Sequence, residues 1–169
     1  VKYDRATGYF SSNILLQVSQ GLEVFTHQNG KMRLLVGCTL DEQEIDAIKK
    51  GEEMYEKISE KIKYQPLPLS NQKEKDSFEL LSWMIAKGLI EVKLAIPCDH
   101  NKEPVATQEI FHAKGGVFTD EEGNKVAFNG SINESLYGWT RNWESFHVFT
   151  SWESLQHVKP EEENFELLW

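Results

Sequence analysis

The sequence predicts an α/β protein in which a mixed β-sheet is flanked by helices on both faces. Short apolar runs with the composition of buried strands alternate with segments whose apolar residues recur at helical spacing. The run at residues 32–37 is almost continuously apolar, which is typical of a strand covered on both faces. Residues 144–150 instead alternate polar and apolar side chains, as a strand with one buried face does. Such an alternation of strands and helices builds one sheet with helices packed on it.

The individual elements follow from composition and from the turn residues at their ends. Strands are expected at residues 3–10, 32–37, 89–97, 110–117, 126–129 and 144–150. Helices are expected between residues 11 and 29, from 39 towards 63, from 75 to 87, and over the acidic segment 161–169. Ser11 or Ser12 can cap the first helix, and Asn29 with Gly30 ends it. The proline-containing segment 66–70 separates the second helix from the third.

Charge and hydropathy narrow the class of protein. The chain has 18 Lys and Arg residues against 27 Asp and Glu, which gives a net charge of −9. Affinity for nucleic acid comes largely from basic side chains that neutralise phosphates, so this balance argues against a free-standing DNA-binding protein. A locally basic cleft or an attached domain would still permit nuclease chemistry. No apolar run approaches the roughly 20 residues that span a bilayer, and we expect a soluble, cytoplasmic protein.

Two short motifs contain the candidate catalytic residues. His112 and Lys114 stand at alternate positions of a predicted strand, so both side chains should point to one face. After a short hairpin, Gly130, Ser131 and Asn133 return polar groups to the same neighbourhood. A nitrogen nucleophile beside a cation and short hydrogen-bond donors can attack a phosphodiester without a metal ion. The sequence therefore predicts a phosphate site.

This order of residues resembles the signature of the phospholipase D superfamily, in the Gly-Ser-x-Asn form typical of its nuclease branch. In the signature, four residues separate the lysine from an aspartate, whose position is held here by Thr119, with Asp120 one position late. Residues 141–146 resemble the downstream Asn-x-Glu segment of the family. Residues 4–11 are similar to the opening of the phospholipase D-like domain fused to bacterial DEAD/DEAH-type helicases and restriction-type enzymes. The likeness covers residues 3–152.

The resemblance implies a single half-unit of that fold and a role for each residue of the site. His112 would be the nucleophile and form a phosphohistidine, while Lys114 would neutralise charge on the phosphate. The catalytic set implied is His112, Lys114, Ser131, Asn133 and Glu144, in which Glu144 orients the histidine. The substrate-binding set implied is Asn129, Gly130, Arg141 and Trp143. Neither a metal ion nor another cofactor is expected.

One requirement of this chemistry is not met within a single chain. The family takes the leaving-group proton from the histidine of a second motif. Of the five histidines, only His112 begins a His-x-Lys that precedes a Gly-Ser-x-Asn. A two-fold axis brings identical residues together, so we expect a homodimer in which two copies of His112 face each other. One histidine would attack while the other donates the proton.

Two classes of function remain open. The first is a metal-independent phosphodiesterase, a nuclease module of a helicase or restriction-type protein that acts on DNA. The second is an inactive domain that only binds nucleic acid or dimerises. Trp139, Arg141 and Trp143 can either stack on bases or pack at a dimer seam. Lipid head-group cleavage is disfavoured because the chain is acidic and lacks an amphipathic membrane-binding helix.

The domain organisation is predicted from the two ends of the chain. Residues 1–152 are expected to form the catalytic domain. Residues 153–169 are expected to be a helical extension, or a linker to a further domain such as a covalently linked helicase. The chain begins at Val1 and runs directly into a strand, and it ends in an acidic segment with helical spacing. Both features predict a piece of a longer protein.

Overall fold

A computed structural model describes residues 1–10, 14–38, 72–107 and 110–169. Within them a six-stranded sheet has the order β3-β2-β1-β4-β5-β6. The strands are β1 (Lys2–Thr7), β2 (Lys31–Gly37), β3 (Ile90–Ala95), β4 (Lys114–Thr119), β5 (Lys125–Gly130) and β6 (Phe146–Thr150). β1, β2 and β3 pair in parallel, whereas β4 pairs antiparallel with both β1 and β5, and β5 pairs antiparallel with β6. The sheet is therefore mixed, as predicted.

The helices differ from the expected ones at several ends. The described helices are α1 (Ile14–Gln17), α2 (Ser19–His27), α3 (Gln72–Ala86), α4 (Leu136–Thr140) and α5 (Ser151–Leu168). The single helix expected before residue 29 is divided at Val18, whose φ of −101° and ψ of 18° are not helical. The expected caps Ser11 and Ser12 and the segments 39–63 and 66–70 lie outside the described residues. Among the described helices, none is both long and apolar enough to cross a membrane.

Side chains alternate along β1 and so define two faces of the sheet. The front face is the one to which Tyr3, Arg5 and Thr7 point, and the back face is the one to which Asp4 and Ala6 point. α3 packs on the front face over a core of Tyr3, Met32, Leu34, Met84, Ile90, Phe128 and Ile132. α5 packs on the back face, where its buried residues meet Ala6, Leu35, Val117 and Ala127. Helices thus cover both faces, which confirms the predicted fold class.

The C-terminal segment is helical, as predicted, but its helix begins at Ser151. Its buried side chains Val158 and Phe165 complete the back-face core. The boundary expected at residue 152 falls at the second position of this helix. Because Val158 and Phe165 are buried against the sheet, residues 153–169 pack on the same core. Their role as a link to a further domain stays a prediction.

Two strands are shorter than expected at the edge of the sheet that carries the motif. β1 ends at Thr7, whose hydroxyl donates to the carbonyl of Tyr9 at 2.7 Å and so turns the chain. The register pairs Thr7 with Lys114, which is therefore the first residue of β4. His112 precedes the strand because β1 has no further residue to pair with it. The strand predicted from residue 110 thus begins four positions later.

Candidate active site

Lys114 and His112 occupy different environments although they are two residues apart. The Lys114 side chain lies on the front face beside Thr7 and is buried. Its Nζ donates to the backbone carbonyl of His112 at 3.1 Å. His112 itself is exposed. The alternation argument therefore holds for Lys114 but not for His112, which is placed at the site by a loop and by this hydrogen bond.

Glu144 accepts hydrogen bonds from both motif segments of the site, the Gly-Ser-x-Asn turn and its own Asn-x-Glu segment. Ser131 Oγ donates to Glu144 Oε2, and Asn142 Nδ2 donates to Glu144 Oε1 at 3.0 Å. The backbone N–H of Ser145 donates to Ser131 Oγ at 3.1 Å. These hydrogen bonds, that from Ser131 above all, and the charge of Lys114 lower the pKa of Glu144. The carboxylate is thus kept ionised beside the lysine.

The expected contact between Glu144 and His112 is not formed. Both carboxylate oxygens are engaged by Ser131 and Asn142. Across the described parts of the chain, no hydrogen bond joins Glu144 to the imidazole of His112. The carboxylate therefore acts on Ser131 and Lys114 in this structure, and an orienting role towards the histidine stays a prediction.

Two glycines allow the segments of the site to approach each other. A Cβ on Gly130 would lie 2.3 Å from the carbonyl oxygen of Ser145, so a side chain there would push β6 away from β5. A Cβ on Gly8 would lie 2.7 Å from the carbonyl oxygen of Phe111, immediately before His112. The same Cβ would lie 3.7 Å from Asn133 Oδ1. Gly8 thus lets the histidine loop and the asparagine turn meet at the end of β1.

A buried ionic network anchors the turn that carries Asn133. Arg5 is fully buried, and its Nη2 donates to the carbonyl of Ile132 at 2.6 Å. Its Nε forms an ion pair with Glu134 Oε2 at 2.7 Å. Tyr3 Oη donates to the same carboxylate oxygen at 3.4 Å. The residues on either side of Asn133 are therefore bound to side chains of β1.

Thr7 adds a second anchor one position further along the same face. Its Oγ1 accepts a hydrogen bond from the backbone N–H of Glu134 at 3.2 Å and lies 3.4 Å from Asn133 Oδ1. Thr7 is completely buried. Asn133 is consequently placed near the end of β1, where the paired strand β4 begins with Lys114.

Burial shifts the pKa values of the ionisable groups on the front face. Desolvation raises the pKa of Glu134, and the charge of Arg5 only partly opposes this. Desolvation and the neighbouring Glu134 raise the pKa of Tyr3 well above its ordinary value. Desolvation lowers the pKa of Lys114, Arg5 adds to the effect, and Glu144 opposes it. The ionised Glu144 therefore helps to keep Lys114 charged.

Arg5, Thr7 and Glu134 were not expected at the site from the motif. A signal for them is present, because Tyr3, Arg5 and Thr7 place polar groups at alternate positions of β1 and so on one face of the sheet. Glu134 directly follows the motif asparagine. The sequence does not show that the charged side chains of Arg5 and Glu134 meet across the sheet.

Three of the expected substrate-binding side chains lie apart from this network. Asn129 points to the back face, where its Nδ2 donates to both carboxylate oxygens of Glu161 at 3.0 and 3.1 Å. Trp143 is 100% exposed, one residue before Glu144. The guanidinium carbon of Arg141 lies 5.2 Å from the ring centroid of Tyr137. Trp143 and Arg141 thus border the site, whereas Asn129 is not brought to it.

Asp120, which stands one position late for the aspartate of the signature, closes a hairpin away from the site. Asp120 lies in the turn between β4 and β5, at the opposite end of β4 from Lys114 and so about 20 Å away. Its carboxylate accepts from the N–H groups of Glu122 and Asn124 at 2.9 and 2.8 Å, which closes the hairpin. In the described ranges, no group of three or more His, Cys, Asp or Glu side chains is placed to hold a metal ion.

The sheet order and the helices on its two faces define an α/β domain built on one mixed six-stranded sheet. No protein-family model matches the chain, and no curated protein matches it. The solved structure of NucT from Helicobacter pylori is similar to it, with a TM-score of 0.52 and 11% sequence identity. That similarity covers 99% of this chain and 77% of the NucT chain. At this level of identity, the likeness shows the fold.

Proposed function

We propose that the domain is a phosphodiesterase that cleaves nucleic acid, most simply DNA, through a phosphohistidine on His112. The observation that carries the proposal is the hydrogen bond from the buried Lys114 Nζ to the carbonyl of His112. It joins a desolvated cation to the backbone of an exposed histidine, and a cation is worth more in such a setting than in water. The anchored Asn133 turn at the same edge supplies further hydrogen-bonding groups.

The chemistry proceeds in two displacements. The imidazole of His112 attacks phosphorus, the N–P bond forms, and the bond from phosphorus to the leaving oxygen breaks. Lys114 and Asn133 stabilise the charge on the non-bridging oxygens. Water then cleaves the N–P bond and releases the phosphate product. Glu144 holds Ser131 and supports the charged form of Lys114.

The leaving oxygen needs a proton, and a second copy of the chain would supply it from its own His112. The exposure of His112 supports this arrangement, because an imidazole on the surface can meet its symmetry mate. Residues 4–11 and the site motif also support membership of a larger helicase or restriction-type protein. The alternative is a domain that binds nucleic acid or dimerises without cleaving.

Cleavage of DNA in the presence of EDTA tests the activity. We expect the protein to cleave under chelation and the His112→Ala variant to lose at least about a thousandfold in rate, because the nucleophile is gone. His100→Ala removes another exposed histidine, outside the site, and should cleave normally. Protein that is inert yet retards DNA in a gel would support the noncatalytic alternative.

The mass in solution tests the shared site. Analytical ultracentrifugation at micromolar concentration should give twice the chain mass of 19.5 kDa. Full EDTA-resistant cleavage by a species of one chain mass would contradict the two-histidine mechanism while leaving the nucleophile in place.

A further inference from the structure

The turn that carries Ser131 and Asn133 has no regular secondary structure of its own that would fix it. β5 ends at Gly130 and α4 begins at Leu136. Ser131 is bound to Ser145, whereas residues 132–134 are held by contacts from β1, a strand remote in sequence. The carbonyl of Ile132 is bound by Arg5, 127 residues away, and the N–H of Glu134 is bound by Thr7 at the same separation.

The sheet is built to admit the Arg5 side chain at this point. Its guanidinium carbon lies 5.0 Å from the ring centroid of Phe128. In the intervening strand the position opposite Arg5 is Gly116, where a Cβ would lie 2.7 Å from the Phe128 ring. A larger residue at 116 would displace the ring on which the guanidinium rests. The absence of a side chain there keeps Arg5 in reach of the turn.

Stability alone does not account for the buried pair. The desolvation of two charges offsets much of their attraction, and apolar replacements of buried ion pairs are often as stable. In this pair, burial raises the pKa of Glu134 despite the adjacent Arg5, so the attraction does not fully offset the desolvation. The pair's distinctive contribution is geometric, because a guanidinium can bind a carboxylate and a carbonyl at the same time.

We propose that Arg5, Thr7 and Glu134 are positioning residues that hold Asn133 in register with Lys114. This rests on the phosphodiesterase function proposed above. None of the three touches the reacting atoms. They act through the backbone of residues 132–134, and they couple β1 to the edge of the sheet where the phosphate is bound.

Thr7→Val tests the proposal with little change in shape. The hydroxyl that accepts from Glu134 N–H is lost, so the amide exchange rate of residue 134 should rise about tenfold, as the loss of one hydrogen bond predicts. The kcat for DNA cleavage should fall about tenfold with KM unchanged, because Asn133 acts on charge that develops in the transition state. Thr7→Ser should restore both values. Arg5→Met should lower kcat at least as much.

Thr150→Val is the matched control. It also removes a strand threonine hydroxyl, but Thr150 Oγ1 makes no hydrogen bond among the described residues and lies at the far end of β6. Exchange at residue 134 and kcat should both be unchanged in this variant.

Two results would overturn the positioning role. One is normal exchange at residue 134 in Thr7→Val, and the other is a raised KM with unchanged kcat. If the unmodified protein does not cleave DNA, the phosphodiesterase function fails. The exchange measurement then still decides whether β1 positions the turn.

Discussion

Strand β1 supplies an ionic network to each face of the sheet, and the two networks differ in their exposure to water. On the front face, Arg5 and Glu134 are both buried. On the back face, Arg33 joins Asp4 of β1 to Glu166 of α5 at the surface. Asp4 also pairs with Lys2 at 2.8 Å, so the back-face network has a second cation. Alternate residues of one strand thus belong to a buried pair and to a cluster that runs from the buried Asp4 to the exposed Glu166.

Each network contains a glutamate beside an arginine, yet the pKa values of the two carboxyl groups are shifted in opposite directions. Desolvation raises the pKa of Glu134. Hydrogen bonds from Arg33 lower the pKa of Glu166, whose side chain is 49% exposed. Burial, and not the identity of the partner, therefore decides the sign of the shift. The front-face pair anchors the candidate catalytic turn, whereas the back-face cluster attaches α5 to the sheet.

Removal of each arginine should show the largest difference between the networks. We expect Arg5→Met to lower the free energy of unfolding by about 3 kcal/mol, because Glu134 is left buried without its cation. Arg33→Met should cost about 1 kcal/mol, because Glu166 is exposed and Lys2 still neutralises Asp4. Urea denaturation at neutral pH measures both values.

The double variant Arg5→Met/Glu134→Gln sharpens this result. It removes the uncompensated charge, so it should recover part of the stability that Arg5→Met loses. Equal costs for Arg5→Met and Arg33→Met, or no recovery in the double variant, would show that burial does not separate the two networks.

The contributions of Glu166 and Glu134 to stability should change with pH in opposite directions. We expect this effect to be smaller than that of removing the arginines. The folded pKa of Glu166 is lowered, so its stabilisation is present above the unfolded pKa of about 4.3 and is lost as pH falls through the folded value. The folded pKa of Glu134 is raised, so the folded state binds the proton more tightly, and stability decreases as pH rises from the unfolded pKa of about 4.3 through the higher folded value.

Urea denaturation from pH 3 to 7 compares Glu166→Gln with Glu134→Gln. As pH rises, the unmodified protein should gain stability relative to Glu166→Gln and lose stability relative to Glu134→Gln. The Glu166 difference should stay below about 1 kcal/mol because the site is solvated. Parallel trends in the two variants would rule out the opposite pKa shifts.

Local patterns in the sequence predicted most of the sheet. The apolar runs gave strands at the expected places because buried strands need such composition whatever their neighbours are. The ends of the strands were less predictable. His112 was expected within a strand, but β4 begins at Lys114 because its partner β1 stops at Thr7. The length of one strand was decided by another that lies far away in the chain.

The structure places Lys114, Ser131, Asn133 and Glu144 around the same edge of the sheet, and their catalytic roles stay a prediction. The contacts among the motif residues differ from those that the resemblance implied. Glu144 binds Ser131 and Asn142, although the resemblance implied His112 as its partner. Asn129 precedes Gly130 in the motif, yet strand alternation sends its side chain to Glu161 on the other face.

The sequence by itself determined the fold class and the candidate residues of the proposed phosphate site, because both depend on residue types at short spacings. Only the tertiary structure decided that Arg5 meets Glu134 and Ile132, and that Thr7 meets the N–H of the same turn. Such contacts join residues 127 or more positions apart. They exist because β4 pairs with both β1 and β5 and so brings the ends of these two strands to the same end of the sheet, and the energy of a buried charge depends on that arrangement.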